Sequence, residues 1–221
     1  MDVFSARTVA LVTTSLGGFD KLTQHEPQSL DYDLYRYEEP LRDKSMTPRL
    51  QAKIPKMFAW QLYPDYQFYM WLDGNLRLKN KDSLRYFLDN CRDYDVVVLQ
   101  HPSRNTIHWE YRYNWRGLHN NKPSSYLQRR YINELLDEQY EVIKSDNDYV
   151  DNLLVNGGVF MYRNTEKVQQ TLKEWWYHVS RYLIMDQLAW AYVLKKSGLR
   201  VSVLTDIFND CPWIEDSRHA K

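Results

Sequence analysis

Short apolar stretches of strand length recur along this chain and alternate with stretches in which apolar residues recur every three or four positions. The strand-like stretches are Arg7 to Thr14, Asp31 to Tyr37, Tyr66 to Leu72, Leu76 to Leu78, Asp95 to Gln100, Leu153 to Tyr162 and Arg200 to Leu204. Most are apolar at successive positions, which is typical of strands buried on both faces of a parallel sheet. The second stretch alternates instead, so we expect it to have one face in water.

Helical periodicity marks the segments between these strands. We predict helices over Thr47 to Leu62, Asp82 to Asn90 and Tyr126 to Tyr140, another after Asn164 or Thr165, and a last one from Asp186 to Gly198. Pro55 lies inside the first helix and predicts a kink or a break there. The stretch from His101 to about Lys122 is polar and aromatic and is predicted to be a long connection. Alternating strands and helices predict a single α/β domain with a mostly parallel central sheet flanked by helices.

The composition excludes several classes of protein. The 221 residues include 29 Lys plus Arg and 29 Asp plus Glu, and this zero net charge argues against a general nucleic-acid binder. The mean hydropathy is -0.67, and no apolar run is long enough to predict a membrane-spanning helix. A secretory signal pattern is absent from the N-terminus, and Cys91 and Cys211 are too few for a disulfide framework. We therefore expect a soluble protein of the cytoplasm, or of a host's cytoplasm if the chain is viral, either complete or part of a longer polypeptide.

Several predicted strands end in residues that could bind a ligand. In open α/β sheets ligands bind beyond the carboxyl ends of the strands, which is where Gly17, Asp73 and His101 fall. The tripeptide Asp73-Gly74-Asn75 places two oxygen-bearing side chains two positions apart, a spacing that suits Mg²⁺ or Mn²⁺. A hairpin turn is the alternative interpretation, because Asp-Gly and Gly-Asn are favoured turn pairs.

Two later segments carry further candidates. Asn156-Gly157-Gly158 lies inside an otherwise apolar strand, and glycine there predicts a close approach to the backbone, with Asn156 able to hydrogen-bond a sugar hydroxyl. The alternative is a β-bulge without a ligand. Asp186 precedes a helix and is either a helix-start residue or an acceptor for sugar hydroxyls, with Gln187 then facing the anomeric carbon.

Basic residues complete the set of candidates. Arg104 can pair with phosphate or carboxylate, and His101 can ligate a metal or donate, although a surface loop explains both equally well. Arg49, Lys53 and Lys56 share one helix face at spacings of three and four. Such a face either neutralises a diphosphate or is simply solvated.

The order of these motifs resembles that of a known family. The run Tyr66 to Asn75, the segment His101-Pro102-Ser103-Arg104, the Trp175-Trp176 helix and Asp186-Gln187-Leu188 together resemble a glycosyltransferase-like family first catalogued as a domain of unknown function, with bacterial and plant mucilage and cell-wall members. The second half is also similar to glycogenin and lipopolysaccharide galactosyltransferases, and there is a more distant likeness to capsid-decorating glycosyltransferase domains of large algal viruses. These families imply a GT-A fold.

The resemblance implies a glycosyltransferase that uses a nucleoside-diphosphate sugar, with uridine the expected base, and a glycan or glycoprotein acceptor. It implies Mn²⁺ or Mg²⁺ held by Asp73, Asn75 and a third ligand near the C-terminus. That ligand is a histidine in many such enzymes, here His219, but Asp206, Asp210 and Asp216 in the same tail are alternatives. The sequence departs from the usual Asp-x-Asp motif, because Asn75 replaces the second aspartate.

The resemblance also implies that Asn156 and Asp186 touch the donor sugar. We expect the loop Thr13 to Gly18 to hold the nucleoside, and Arg49 and Lys53 to face the phosphates. The full set of expected nucleotide and sugar contacts is Thr13, Thr14, Ser15, Gly17, Arg49, Lys53, Asp73, His101, Arg104, Asn156, Gly157 and Asp186.

The sequence leaves the stereochemistry and two other functions open. If the reaction retains configuration, Gln187 would face the side of the sugar opposite the leaving group; if it inverts, Asp186 or Glu110 would be the base. The first alternative function is a nucleotide-sugar or carbohydrate-binding module without turnover. The second is RNA binding through the segment Tyr111 to Arg116, which the balanced charge argues against.

Overall fold

A computed structural model describes residues 7–16, 20, 24–38, 46–120, 126–206 and 210–216, and Gly17 and His219 lie outside this part of the chain. The strands are β1 Arg7–Thr14, β2 Asp33–Tyr37, β3 Tyr66–Asp73, β4 Leu76–Leu78, β5 Val96–Gln100, β6 Val155–Arg163, β7 Val201–Leu204 and β8 Ile214–Asp216. The helices are α1 Pro48–Leu62, α2 Ser83–Cys91, α3 Ile107–Leu118, α4 Tyr126–Tyr131, α5 Leu136–Lys144, α6 Glu166–Arg181 and α7 Gln187–Lys196.

A six-stranded sheet in the order β2-β1-β3-β6-β5-β7 forms the centre of the domain. Strands β1, β2 and β3 pair in parallel, as do β5 and β7, whereas β6 is antiparallel to both of its neighbours. The predicted α/β class with a mostly parallel sheet is confirmed. Because β6 runs the other way, its first residues lie at the edge where β3 and β5 end.

Alternating side chains of the strands fill two apolar layers. Val12 and Trp71 lie on the face covered by α1, α6 and α7, and Leu11 and Met70 lie on the face covered by α2. All four are at most 3% exposed. Burial on both faces explains why the strands read as continuous apolar runs.

The prediction of a long connection after β5 is wrong, because helix α3 lies there. Thr106 accepts a hydrogen bond from the backbone of Trp109 and caps helix α3. The pattern is obscured because the inward face of α3 carries the polar residues Glu110 and Asn114 between Ile107 and Leu118, and all four are buried. A charged residue on a buried face does not register as apolar periodicity.

Two other boundaries also differ from the prediction. The single helix expected over Tyr126 to Tyr140 is divided into α4 and α5, with residues 132–135 between them. Strand β6 continues through the glycines, and its register against β5 shifts between Val98 and Gln100. A bulge therefore accompanies the glycines without ending the strand.

The described helices include none that is long and apolar enough to cross a membrane.

The first helix has the expected start and irregularity. Thr47 caps it, and the kink falls at Phe58 (φ -125°, ψ 25°), three residues after Pro55. Asp82 and Thr165 precede α2 and α6 as predicted. Gly198 follows α7 in the left-handed region (φ 62°), the conformation typical of a glycine after a helix.

Candidate functional site

A cavity of about 330 Å³ lies at the edge of the sheet where β1 and β3 end and β6 begins. Its wall includes residues from the strand ends, from the start of α7 and from α1, namely Thr14, Asp73, Gly74, Asn75, Asn156, Gly157, Gly158, Asp186, Gln187, Arg49 and Lys53. This volume is at the lower end of the range for small-molecule sites. Most residues that the sequence nominated from separate segments therefore meet in one place.

The Asp73-Gly74-Asn75 turn is not a hairpin. Strand β4, which follows it, pairs with β8 rather than with β3. A methyl group at Gly74 would lie 2.4 Å from the backbone oxygen of Thr14, so the turn packs directly against the end of β1. The carboxylate of Asp73 is thereby fixed at the cavity wall, where its side chain is 41% exposed.

Two lysines of α1 bind the carboxylate of Asp186. The ammonium groups of Lys53 and Lys56 each lie 2.6 Å from Asp186 Oδ2. The side chain of Lys56 is 1% exposed and also lies 3.4 Å from Asp73 Oδ1. Asp186 precedes α7, but its side chain makes no capping hydrogen bond with the helix. The carboxylate is therefore held by the lysines rather than by the helix end.

The lysines set the charge state of Asp186. Burial raises the pKa of this carboxyl, but the charges and hydrogen bonds of Lys53 and Lys56 outweigh burial and lower the pKa to about 2. Asp186 is thus ionised throughout the neutral range. A carboxylate of this kind accepts hydrogen bonds and is a weak base.

Two tryptophans enclose Lys56. Its ammonium lies 5.5 Å from the ring centres of both Trp71 and Trp175, a distance that permits cation–π attraction. The indole of Trp71 donates to Asp73 Oδ1 at 2.7 Å, and that of Trp175 donates to the backbone oxygen of Asp186 at 2.9 Å. Each tryptophan therefore orients one acidic residue while contacting the lysine that joins them.

The glycines of β6 leave room for the acidic side chains. A methyl group at Gly158 would lie 3.1 Å from Asp73 Oδ2, and one at Gly157 would lie 3.3 Å from Asp186 Oδ1. Asn156 turns its Oδ1 toward its own strand and accepts a hydrogen bond from the Gly158 amide at 2.7 Å. The predicted close approach at these glycines is thus made by protein side chains, beside an open cavity.

Two of the proposed metal ligands, Asp73 and Asn75, line the cavity. The side-chain amide of Asn75 donates a hydrogen bond to Asp216 Oδ1 at 2.8 Å. Within the described ranges, no group of three His, Cys, Asp or Glu side chains is close enough to hold a metal ion. Among the candidates for the third ligand, Asp216 is the residue that Asn75 contacts, and Asp206 accepts a hydrogen bond from the Tyr86 hydroxyl at 2.6 Å. His219 lies outside the described ranges.

His101 and Arg104 lie behind the cavity wall rather than in it. The guanidinium of Arg104 binds Glu110 Oε2, and Asn114 donates to Glu110 Oε1 at 3.0 Å. The ring of His101 accepts from the backbone amide of Arg104 at 2.9 Å. Burial, together with the charge of Arg104, lowers the pKa of His101 despite the opposing effect of Glu110. The two residues position Glu110, which does line the cavity.

The first strand contributes one direct contact. Thr14 lines the cavity and donates its hydroxyl to the backbone oxygen of Tyr37 at 2.9 Å. Ser15 donates to the backbone oxygen of Asp20 at 2.9 Å, and Thr13 is buried. Gly17, the remaining residue predicted here, lies outside the described part of the chain.

Sequence reasoning missed the contribution of α4. Tyr126, Arg130 and Tyr131 line the cavity, and Arg49 donates to the backbone oxygen of Arg130 at 2.6 Å. The predicted single helix gave no reason to place this segment at the sheet edge. Lys56 was grouped with Arg49 and Lys53 by its spacing, but only the structure distinguishes it as the buried member.

The fold is similar to those of several solved glycosyltransferases. WbbM, a bifunctional glycosyltransferase, matches with 13% identity and a TM-score of 0.50 over 91% of this chain and 39% of its own, so this chain spans about two fifths of that protein. A glycosyltransferase involved in glycosylation of the major capsid of PBCV-1 matches with 12% identity over 89% of this chain and 81% of that one, at a TM-score of 0.46. Mouse xyloside xylosyltransferase 1 matches with 11% identity over 89% and 85%, also at 0.46.

Comparison at the level of sequence gives the family. No curated protein matches the chain. The family described as TOD1/MUCI70, glycosyltransferase-like domain, matches residues 40–217, a range that contains Asp73, the glycines of β6 and Asp186. The chain therefore belongs to the TOD1/MUCI70 glycosyltransferase-like family and is an enzyme of the glycosyltransferase class with a GT-A-like fold.

Proposed function

We propose that the protein transfers a sugar from a nucleoside-diphosphate sugar to a hydroxyl group of a glycan acceptor, with the help of a divalent cation. The observation that carries this proposal is the single cavity that joins Asp73, Gly158 and Asp186 at the sheet edge. The expectation of uridine as the base rests on the family resemblance alone. The cytoplasmic location also remains a prediction.

The charges of the cavity support a diphosphate ligand. Arg49, Lys53 and Arg130 line it, and a diphosphate leaving group develops negative charge as its bond to the sugar breaks. Preorganised cations lower the free energy of such a transition state because they need not reorient during the reaction. Lys53 also binds Asp186, so it links the phosphate side of the cavity with the proposed sugar side.

The donor set supports a magnesium or manganese ion. Asp73 and Asn75 supply carboxylate and amide oxygen atoms, the ligand types that these ions prefer. Mg²⁺ commonly binds proteins through one or two carboxylates and completes its shell with water and substrate phosphates. The absence of a larger acidic cluster in the described residues is therefore compatible with a site that the donor completes. The ion would neutralise charge on the leaving diphosphate.

Asp186 and Gln187 suit different roles at the sugar. With a pKa of about 2, Asp186 accepts hydrogen bonds from sugar hydroxyls better than it removes a proton. The oxygens of Glu110 already accept hydrogen bonds from Arg104 and Asn114, so this carboxylate is also a poor candidate for the base. We therefore propose a retaining reaction, in which Gln187 faces the reacting carbon.

A panel of nucleotide-sugars tests the proposal. Thermal shift with and without Mn²⁺ identifies the donor, because a ligand that binds only the folded state raises its apparent stability. Release of the nucleoside diphosphate is then measured for the wild type and for Asp73→Asn, with the exposed Asp93→Asn as the matched control. We expect Asp73→Asn to lower release about a hundredfold, the scale on which loss of one transition-state contact is felt.

Three results would contradict the proposal in different ways. Binding without release, in the presence of an acceptor panel, would indicate a nucleotide-sugar-binding module. If no nucleotide-sugar stabilises the protein at all, the donor assignment fails. Equal activity of Asp73→Asn and Asp93→Asn would remove the turn after β3 from the site.

A further inference from the structure

One face of helix α3 carries an exposed stripe of alternating aromatic and basic side chains. Its members are Trp109, Arg112, Tyr113 and Arg116, spaced at i, i+3, i+4 and i+7, which is the spacing of a single helix face. Trp109 and Tyr113 are each 55% exposed, and both arginines are exposed. Exposed aromatic rings and guanidinium groups that follow one another along a helix face form a candidate binding surface.

The stripe borders the cavity. Around the helix, Tyr113 lies between Trp109 on its solvent side and Glu110 on its inner side, and Glu110 is part of the cavity wall. Arg104, which binds Glu110, lies with its guanidinium carbon 4.2 Å from the centre of the Tyr113 ring. The neighbouring helix α4 packs against Gly117 of α3 and lines the cavity with Tyr126. A chain that leaves the cavity over α3 would therefore meet Tyr113 first.

The chemistry of the stripe fits an acidic sugar chain. Flat aromatic faces stack on the apolar faces of sugar rings, and guanidinium groups bind carboxylates with paired hydrogen bonds. The i, i+4 spacing separates Trp109 and Tyr113 by about 6 Å along the helix, close to the length of one sugar unit. We infer that this stripe binds the acceptor, and that the acceptor is a glycan carrying uronic acids. This inference rests on the proposed glycosyltransfer.

Single-stranded RNA would offer similar groups, but the structure favours a glycan. Of the segment Tyr111 to Arg116, Tyr111 stacks on Tyr140 at 3.8 Å and Asn114 is buried, so neither can meet a base. Trp115 stacks on His119 at 4.4 Å, so one face of its ring is already covered. The continuous surface that remains leads to a cavity in which we propose a sugar donor.

Direct binding of oligouronates tests the inference. Hexamers of mannuronate, galacturonate and glucuronate are titrated into the wild type in the presence of UDP, and the same hexamers after reduction of their carboxyl groups serve as neutral controls. We expect at least one acidic hexamer to bind. The variant Trp109→Ala and the double variant that combines Arg112→Ser with Arg116→Ser should each weaken the affinity for that hexamer about tenfold, the loss expected for one stacking or charged contact. The matched controls Tyr177→Ala and Arg92→Ser remove an exposed aromatic ring and an exposed charge elsewhere and should leave binding unchanged.

The outcomes separate this inference from the proposed function. Thermal shift with the donor is recorded for the same variants and should not change, because the stripe lies outside the cavity wall. If the donor binds but no acidic hexamer does, or if the reduced hexamers bind equally well, the inference is overturned while the proposed function stands. If oligouridylate binds instead and depends on Trp109, the stripe is an RNA site. If the hexamers bind through Trp109 but no nucleotide-sugar binds, the proposed function fails instead.

Discussion

The ammonium group of Lys56 lies 2.6 Å from a carboxylate oxygen of Asp186, which lines the cavity. Its other acidic neighbour is Asp73, at 3.4 Å, so one buried cation links residues separated by more than a hundred positions in sequence. Because such a charge is costly to bury without partners, the three side chains stabilise one arrangement. That arrangement places the carboxylates that we assign to the cation and to the sugar on the same wall.

Loss of the Lys56 charge should destabilise the fold. We expect Lys56→Met to lower the free energy of unfolding by about 2–4 kcal/mol, because it leaves a buried carboxylate with fewer partners. Lys53→Met should cost less, since the side chain of Lys53 is 19% exposed and Lys56 would still bind Asp186. Urea denaturation at neutral pH measures both. In an Asp186→Asn background the cost of Lys56→Met should shrink, and equal costs in the two backgrounds would contradict the pairing.

Stability should fall in acid because of Asp186. The pKa of this carboxyl is lowered in the folded state to about 2 from an ordinary value of 3.8, so the folded state favours the ionised form. A depressed folded pKa gives stability that is present above pH 4 and is lost as the pH falls toward 2. Denaturation midpoints measured between pH 5 and pH 2 should therefore fall less steeply for Asp186→Asn than for the wild type. Parallel profiles would contradict the assignment, and Asp93→Asn controls for loss of an exposed carboxylate.

The glycines should separate folding from binding. At Gly74 a methyl group would lie 2.4 Å from a backbone oxygen that cannot move away, so we expect Gly74→Ala to lower stability by about 1–3 kcal/mol. At Gly158 the nearest atoms are the ends of the Asn156, Asp73 and Leu76 side chains, at 3.0 to 3.4 Å, and side-chain ends can shift more easily than backbone. Gly158→Ala should therefore be nearly as stable as the wild type but bind UDP with Mn²⁺ more weakly. Unchanged nucleotide affinity would argue against a role for the Asp73 position.

The anomer of the product should match that of the donor. Proton NMR of the first product, recorded before mutarotation, reports this directly. We also expect Gln187→Ala to lower transfer about a hundredfold while leaving the thermal shift with the donor nearly unchanged, because its proposed contact is made at the reacting carbon. An inverted product would remove Gln187 from the mechanism and would return Asp186 or Glu110 to the role of base.

The sequence alone predicted the strands and several helix ends well. Arg7–Thr14 has the predicted bounds, and Thr165 and Gly198 mark helix boundaries as expected. Such features depend on local patterns, namely apolar runs, capping side chains and glycine after a helix. Helix α3 was missed because Glu110, a charged residue, faces inward, and its burial depends on Arg104 and Asn114.

The sequence by itself determined the α/β class, the positions of most strands and the residue types available for binding a charged sugar donor, because these follow from periodicity and side-chain chemistry. Only the tertiary structure decided that β6 runs antiparallel and brings Gly158 to Asp73. It also decided that Lys56 is buried between two acids while Lys53 faces the cavity. A contact between residues far apart in sequence depends on the order and direction of the strands, and that order is fixed by the packing of the whole sheet.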